Sequence, residues 1–137
     1  MLSMFAFGIQ MSWLAKHSLF HFPVAGILRW LGGEPINRAA SQGTVEVAIE
    51  RFRERPQWVF GVSPEGTRKR AEKWKSGYHR IAVGAGVPIV PVTIDYSRKV
   101  LGMGVPFHPT ADVRADELIL RRNFRSEMAR FPEIYAE

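Results

Sequence analysis

Cysteine is absent from the 137 residues, and so is any long apolar run. The first absence excludes disulfide bonds, thiolate zinc sites and a cysteine nucleophile. The longest apolar stretch, residues 1–15, is interrupted by Ser3, Gln10 and Ser12, and it is shorter than the roughly 20 residues that cross a bilayer. Glycine-rich nucleotide loops and nucleophile elbows are also missing. The sequence therefore predicts peripheral contact with a membrane at most.

Positive charge is in excess, because 19 Lys and Arg outnumber 13 Asp and Glu, for a net charge of +6. Such a chain favours anionic partners, namely phosphates, a negative membrane surface or nucleic acid. Its four histidines lack the spacing of metal ligands. We therefore expect no metal site and no cofactor, but the charge alone does not choose among the partners.

Helical and extended patterns alternate along the chain without a repeat or a composition shift. Extended segments are predicted at 10–16, 34–38, 57–63, 87–96 and 105–110. Helices are predicted at 23–31, 41–55, 76–85 and 112–131, between capping or terminating Ser, Asp, Gly and Pro residues. This alternation predicts one α/β domain over residues 1–137, with a mostly parallel sheet flanked by helices.

Four aromatic residues near the start have helical spacing that is typical of a core: Trp13, Phe20, Phe22 and Trp30. Some of them are also suited to line an apolar groove or to touch a bilayer surface. The sequence leaves these possibilities open.

The segment Ser63-Pro64-Glu65-Gly66-Thr67-Arg68 follows a predicted core strand. In open α/β sheets, ligands bind beyond the carboxyl ends of the strands. Glu65 offers a carboxylate that accepts from hydroxyl groups, Arg68 offers a fork of donors suited to phosphate, and Gly66 permits close approach of a ligand to the backbone. Taken alone, the segment fits a phosphate site and an ordinary solvated turn equally well.

Three further segments lie before and after this turn, and their order along the chain is informative. Gly32-Gly33-Glu34-Pro35-Ile36-Asn37-Arg38 precedes it, and Trp74-Lys75-Ser76-Gly77 and Val87-Pro88-Ile89-Val90-Pro91-Val92 follow it. Over roughly residues 1–110 the chain resembles the lysophosphatidate/glycerol-phosphate acyltransferase family. The resemblance implies a layered α/β fold. It also implies transfer of a fatty acyl group from acyl-CoA or acyl-carrier protein to a hydroxyl of a phosphate-bearing lysophospholipid or glycerol-phosphate acceptor.

The resemblance also implies roles for individual residues. Glu65, Gly66 and Arg68 match the family's acceptor-binding turn, Arg38 matches the arginine that holds the acceptor phosphate, and Lys75 matches the basic element after the turn. Three positions depart from the family pattern: Ser63 stands for Phe, Lys69 for Ser and Asn37 for Asp. A cytoplasmic protein, peripheral at the inner face of the membrane, is the location that the resemblance implies.

The family's catalytic motif, a histidine followed five positions later by an aspartate, is missing. The residues five positions after the four histidines are Phe22, Gly26, Gly84 and Val113. We therefore assign no catalytic residue to this chain and expect it to be inactive alone. Residues 1–8 have the pattern of a helix end, and the motif belongs at the start of that helix. The hypothesis is that Met1 is an internal methionine and that the N-terminal part of the domain is missing.

Two other functions stay open at this point. A non-catalytic module that binds anionic lipid would keep the phosphate-binding arginines and would show saturable binding without turnover. A nucleic-acid binder is supported only by the net charge of +6, and it would show steep salt dependence with no preference for lipid phosphates. The ordered motifs favour a lipid partner and no nucleic acid.

Overall fold

A computed structural model describes residues 8–36, 43–66 and 73–132. The chain forms two compact units, one ending at Val62 and the other beginning at Ser63. The predicted helical segment before Gly8 lies outside the described residues, as does Ser41, the expected cap of the second helix.

The first unit is built on a parallel sheet in the order β2-β1-β3. Its strands are β1 (Met11–Lys16), β2 (Gly33–Ile36) and β3 (Val59–Phe60). Two helices lie between them along the chain: α1 (Val24–Trp30) and α2 (Thr44–Glu54). Parallel neighbours need such crossover connections, so the helices follow from the topology. The predicted α/β class is confirmed here, and the three strands end at one edge of the sheet.

A glycine pair allows β2 to begin close against β1. Gly32 has a φ of +81°, and a β-carbon there would collide with the backbone carbonyl oxygen of Met11. A β-carbon on Gly33 would lie 2.7 Å from the carbonyl oxygen of Leu28. The indole nitrogen of Trp13 donates to the Leu31 carbonyl at 3.0 Å across the same contact. The glycines are therefore required by a close backbone approach.

Trp58 is the largest side chain in the core of this unit. Its ring stacks on Phe60 with centroids 5.1 Å apart and meets Phe52 edge-on at 4.8 Å. Its indole nitrogen donates to Glu34 Oε1 at 3.1 Å, and Arg55 donates to the same oxygen at 2.9 Å. Trp58 thus ties β3 to β2, because Glu34 lies in β2.

The apolar stripe of α1 is not buried as its spacing suggests. The helix has no buried residue. Phe22 is 93% exposed and Trp30 is 72% exposed, so a core position for these two aromatics is wrong, whereas Trp13 and Phe20 are partly buried. No helix within the described ranges is both long and apolar enough to cross a bilayer.

The second unit contains a hairpin and two helices. Its elements are α3 (Gly77–Ala85), β4 (Val92–Asp95), β5 (Val100–Met103) and α4 (Val113–Arg121). Gly86, at φ +67°, ends α3. Asp112 caps α4 by accepting from the backbone nitrogens of Arg114 and Ala115, both at 3.0 Å. These two helix ends are as predicted, except that α4 stops at Arg121, ten residues before the predicted end at residue 131.

The strands of this unit differ from the prediction. The segment 87–96 is predicted as an extended segment of a mostly parallel sheet, but its ladder begins at Val92 and pairs antiparallel with β5. The four-residue connection between β4 and β5 joins only antiparallel neighbours. The expected strand at 105–110 makes a single bridge, between Phe107 and Ile89, within the described residues. The first unit therefore contains a parallel sheet, and the second unit contains an antiparallel hairpin.

Candidate functional site

The turn Ser63–Gly66 is closed by its own backbone. Gly66 N donates to the Ser63 carbonyl at 3.3 Å, and Lys75 N donates to the Pro64 carbonyl at 2.8 Å. Gly66 has a φ of +61°, which an L-residue with a side chain adopts only with strain. The second hydrogen bond brings the residues before α3 back to the turn, although nine positions separate Gly66 from Lys75.

The side chain of Lys75 lies directly over Gly66. A β-carbon on Gly66 would be 2.9 Å from Cδ, 3.1 Å from Cε and 3.2 Å from Nζ of Lys75. The missing side chain therefore leaves the space in which the ammonium group lies beside the turn. The Glu65 side chain, on the same turn, is partly exposed.

Three of the five residues predicted to bind the acceptor are thus placed by the structure. Glu65 and Gly66 lie on one turn, and Lys75 covers that turn. Arg38 and Arg68 lie outside the described residues. A turn with one carboxylate, one ammonium group and an open backbone is suited chemically to a small ligand that carries both a hydroxyl and an anionic group.

A histidine–carboxylate pair that spacing along the chain does not reveal lies in the core of the second unit. His79 Nε2 and Asp116 Oδ2 are 2.8 Å apart, 37 residues apart in sequence, and the two residues are 2% and 1% exposed. Thr110 donates to the same carboxylate from its backbone nitrogen at 2.6 Å and from its hydroxyl at 3.0 Å. The ring is enclosed and cannot reach a substrate, so this pair joins α3 to α4 and is not a catalytic base.

The electrostatics of Asp116 balance two opposing effects. Burial alone would raise the pKa of this carboxyl group. The hydrogen bonds from His79 and Thr110 favour the ionised form and hold the pKa of Asp116 below its usual value. Among the residues that the structure describes, no three His, Asp or Glu side chains come together as a metal site.

Tyr78 gives a spectroscopic prediction for this unit. Burial is the main cause that raises its pKa to about 12, with a smaller contribution from Glu117. Because the unfolded phenol titrates near pH 10, the folded state keeps its proton longer and stability should fall as the pH rises from about 10 to about 12. In an alkaline titration, tyrosinate absorption should show a step near pH 12 that is missing from Tyr78→Phe. Identical titration curves for the wild type and the variant would contradict the assignment.

The same substitution should be tolerated by the fold. The Tyr78 hydroxyl is buried and has no hydrogen-bond partner among the described residues. Removing a buried hydroxyl of this kind is expected to change the free energy of unfolding by less than about 1 kcal/mol. Urea unfolding of Tyr78→Phe at neutral pH therefore serves as the control for the alkaline titration.

Comparison with known proteins agrees with the motifs. A family model described as Acyltransferase matches residues 1–95. The 1-acyl-sn-glycerol-3-phosphate acyltransferases of Escherichia coli and Salmonella typhimurium are each 37% identical over 90 residues, which is 59% of this chain and 36% of theirs. The corresponding protein of Haemophilus influenzae is 36% identical over 88 residues, 58% of this chain and 35% of its own.

The match thus spans little more than a third of the length of these relatives. No solved structure matches the chain significantly. The family model nevertheless covers more than half of the chain, and it includes the glycine-led strand and the turn at Glu65 and Gly66 together with Lys75. By this evidence the chain belongs to the acyltransferase family, a family of enzymes.

Proposed function

We propose that this chain carries the acceptor-binding part of an enzyme that acylates a lysophospholipid or glycerol-phosphate acceptor, with acyl-CoA or acyl-carrier protein as the acyl donor. The observation that carries the proposal is the ammonium group of Lys75 lying over Gly66 on the turn Ser63–Gly66. The names of the relatives, which specify a 1-acyl-sn-glycerol 3-phosphate acceptor, support it.

Each residue of the proposed site has a distinct task. An acceptor phosphate monoester carries nearly two negative charges at neutral pH, and Lys75 meets it as a point charge. Arg38 and Arg68, assigned by motif, add planar forks that bind phosphate oxygens in pairs. Gly66 leaves its backbone open to the ligand, and Glu65 accepts a hydrogen bond from an acceptor hydroxyl. The site thereby holds the phosphate and orients the hydroxyl that reacts.

In the reaction, the acceptor oxygen replaces the thioester sulfur on the acyl carbon. The acceptor hydroxyl oxygen attacks the thioester carbonyl, the carbon–sulfur bond breaks, and the hydroxyl proton passes through a base to the departing thiolate. None of the four histidines has an aspartate five positions later. The proposal therefore assigns binding and orientation to these residues and assigns no base among them.

A peripheral location at the cytoplasmic face of the membrane belongs to the same proposal. The acceptor is a lipid, so the site must work at a bilayer surface. Phe22 and Trp30 are 93% and 72% exposed, and no Asp or Glu occurs before Glu34 in the sequence. Exposed aromatic side chains in a segment without negative charge suit an anionic lipid surface.

The binding step can be tested on this chain with glycerol 3-phosphate, the soluble part of the acceptor. Isothermal titration should give a saturable signal for the wild type. Lys75→Ala should weaken the affinity about tenfold, because a charge-assisted contact worth about 1.4 kcal/mol is lost. Lys99→Ala removes the same charge from an exposed position of the β4–β5 turn and should bind like the wild type.

Two results separate the proposal from its alternatives. Equal affinity in all three proteins, or none in the wild type, would contradict the proposed site. A non-catalytic lipid-binding module is the second candidate, since it uses the same basic residues. It predicts that a chain extended to include any upstream histidine–aspartate motif still binds the acceptor without forming product from labelled acyl-CoA.

Arg68 gives a kinetic prediction for an active form of the enzyme. Arg68→Ala should raise the KM for the acceptor by at least about tenfold, because a bidentate phosphate contact is lost. The KM for the acyl donor should change much less. Steady-state rates measured with each substrate varied in turn provide the comparison, and equal rises in both constants would count against the phosphate role.

A further inference from the structure

The ring of Trp74, the residue before Lys75, contacts side chains from α3, from α4 and from the residues that follow α4. It meets Phe124 edge-on with centroids 5.7 Å apart and Tyr78 edge-on at 5.8 Å. The guanidinium carbon of Arg121 lies 4.8 Å from the centroid of the same ring. Trp74 is therefore held between α3 and the C-terminal part of α4 by aromatic and cation–π contacts.

Arg121 is itself held in the orientation that this contact requires. Its Nε donates to Glu117 Oε1 at 2.8 Å, one turn earlier on α4, and the two side chains are only 19% and 22% exposed. Partial burial strengthens both the ion pair and the contact with the ring. A planar guanidinium group is able to stack on an aromatic ring, whereas a lysine ammonium group is not.

The residues that follow Lys75 are joined to α4 as well. His79, four residues after Lys75, is joined to Asp116 of α4 by the buried contact of 2.8 Å. In the sequence, Lys75 is therefore flanked by Trp74 and His79. Trp74 contacts Arg121 of α4 and Phe124 after α4, and His79 contacts Asp116 of α4. Its backbone nitrogen is bonded to Pro64 and its side chain lies over Gly66.

We infer that α4 and Phe124 position Lys75 at the acceptor turn, with Arg121 as a positioning residue that acts through Trp74. These residues lie beyond the segment that the family model matches, which ends at residue 95. The inference rests on the proposed function, since it makes the phosphate affinity of Lys75 depend on a side chain that the site motif does not contain.

The test uses the whole chain labelled with 5-fluorotryptophan, which gives one fluorine resonance for each of the four tryptophans. Trp74→Phe assigns the resonance of Trp74. Glycerol 3-phosphate is titrated into the wild type, Arg121→Ala, Arg121→Lys and Arg114→Ala. The last variant is the matched control, because Arg114 is an exposed arginine on the same helix.

Arg121→Ala should move the Trp74 resonance and leave those of Trp13, Trp30 and Trp58 in place. It should weaken glycerol 3-phosphate binding about fivefold, in line with the loss of one partly buried cation–π contact. Arg121→Lys keeps the charge without the planar stacking and should also move the resonance and weaken binding. Arg114→Ala should change neither.

Three results would overturn the inference, and they are distinguishable from failure of the proposed function. Wild-type affinity in Arg121→Ala would show that Lys75 does not depend on Arg121. An unmoved Trp74 resonance in that variant would show that the ring is held without it. Full affinity in Arg121→Lys despite a moved resonance would show that Arg121 contributes only its positive charge and does not position Lys75 through Trp74. Absence of binding in the wild type would instead reject the acceptor site itself.

Discussion

Replacing Asp116 with alanine should lower the free energy of unfolding by about 3 kcal/mol, because it removes a buried carboxylate and leaves its hydrogen-bond donors unpaired. The carboxylate accepts from His79 and twice from Thr110. Its removal leaves a ring nitrogen and a backbone N–H without their acceptor in a position that is 1% exposed. A buried donor without an acceptor destabilises the folded state by the full free energy of its lost hydration.

Urea unfolding followed by circular dichroism measures the effect, and the same helix offers a matched control. Asp112→Ala removes a carboxylate four residues earlier, but an exposed one that caps α4. Loss of such a cap costs about 1 kcal/mol. A destabilisation by Asp116→Ala no larger than that of Asp112→Ala would show that the pair with His79 contributes little.

The same carboxylate gives stability a defined pH dependence. The pKa of Asp116 is lower in the folded state than in the unfolded chain, where an aspartate titrates near pH 4. Its contribution is therefore fully present above about pH 4 and is lost as the pH falls through the folded value. Asp116→Asn should flatten the acid side of the stability profile relative to the wild type.

The contrast between Asp112 and Asp116 shows which parts of the fold follow from local sequence. A helix cap is a contact with the next two or three residues, so Asp112 was predictable from its place before an apolar stripe. The partner of Asp116 lies 37 residues away. No spacing rule reaches that far, and the pair exists only because α3 and α4 pack together.

The segment 87–96 shows how a correct strand signal leads to a wrong pairing. Its β-branched residues predict extended structure, and β4 does occur there. Pro88 and Pro91 have no backbone N–H, so they cannot donate to a ladder. The ladder accordingly begins at Val92, immediately after Pro91. The short turn after Asp95 then selects an antiparallel partner, which the apolar run alone does not specify.

At the candidate site, the turn was predictable but its covering was not. Pro64 and Gly66 mark a turn by their backbone preferences, and the motif order assigns Lys75 to the same site. Lys75 N donates to the Pro64 carbonyl beside Gly66, and the neighbouring Trp74 packs against Arg121. These are tertiary contacts, so only the folded chain reveals them. The exposed face of α1 is a related case, since periodicity shows which residues share a face but not what covers it.

Gly32→Ala should destabilise the protein by at least about 2 kcal/mol, because the residue combines a left-handed backbone with a backbone collision. Its φ is +81°, and an added β-carbon would strike the carbonyl oxygen of Met11, which cannot rotate away as a side chain does. Gly26→Ala is the matched control, since Gly26 lies in α1 with open space around its α-carbon. That substitution should stabilise the helix by about 0.5 kcal/mol.

Gly32 also fixes the start of the pairing between the first two strands. The Gly32 carbonyl accepts a hydrogen bond from Trp13 N at 3.0 Å, so this residue sets where β2 begins against β1. Urea unfolding compares both variants with the wild type, and wild-type stability in Gly32→Ala would contradict this account of the glycine-led strand.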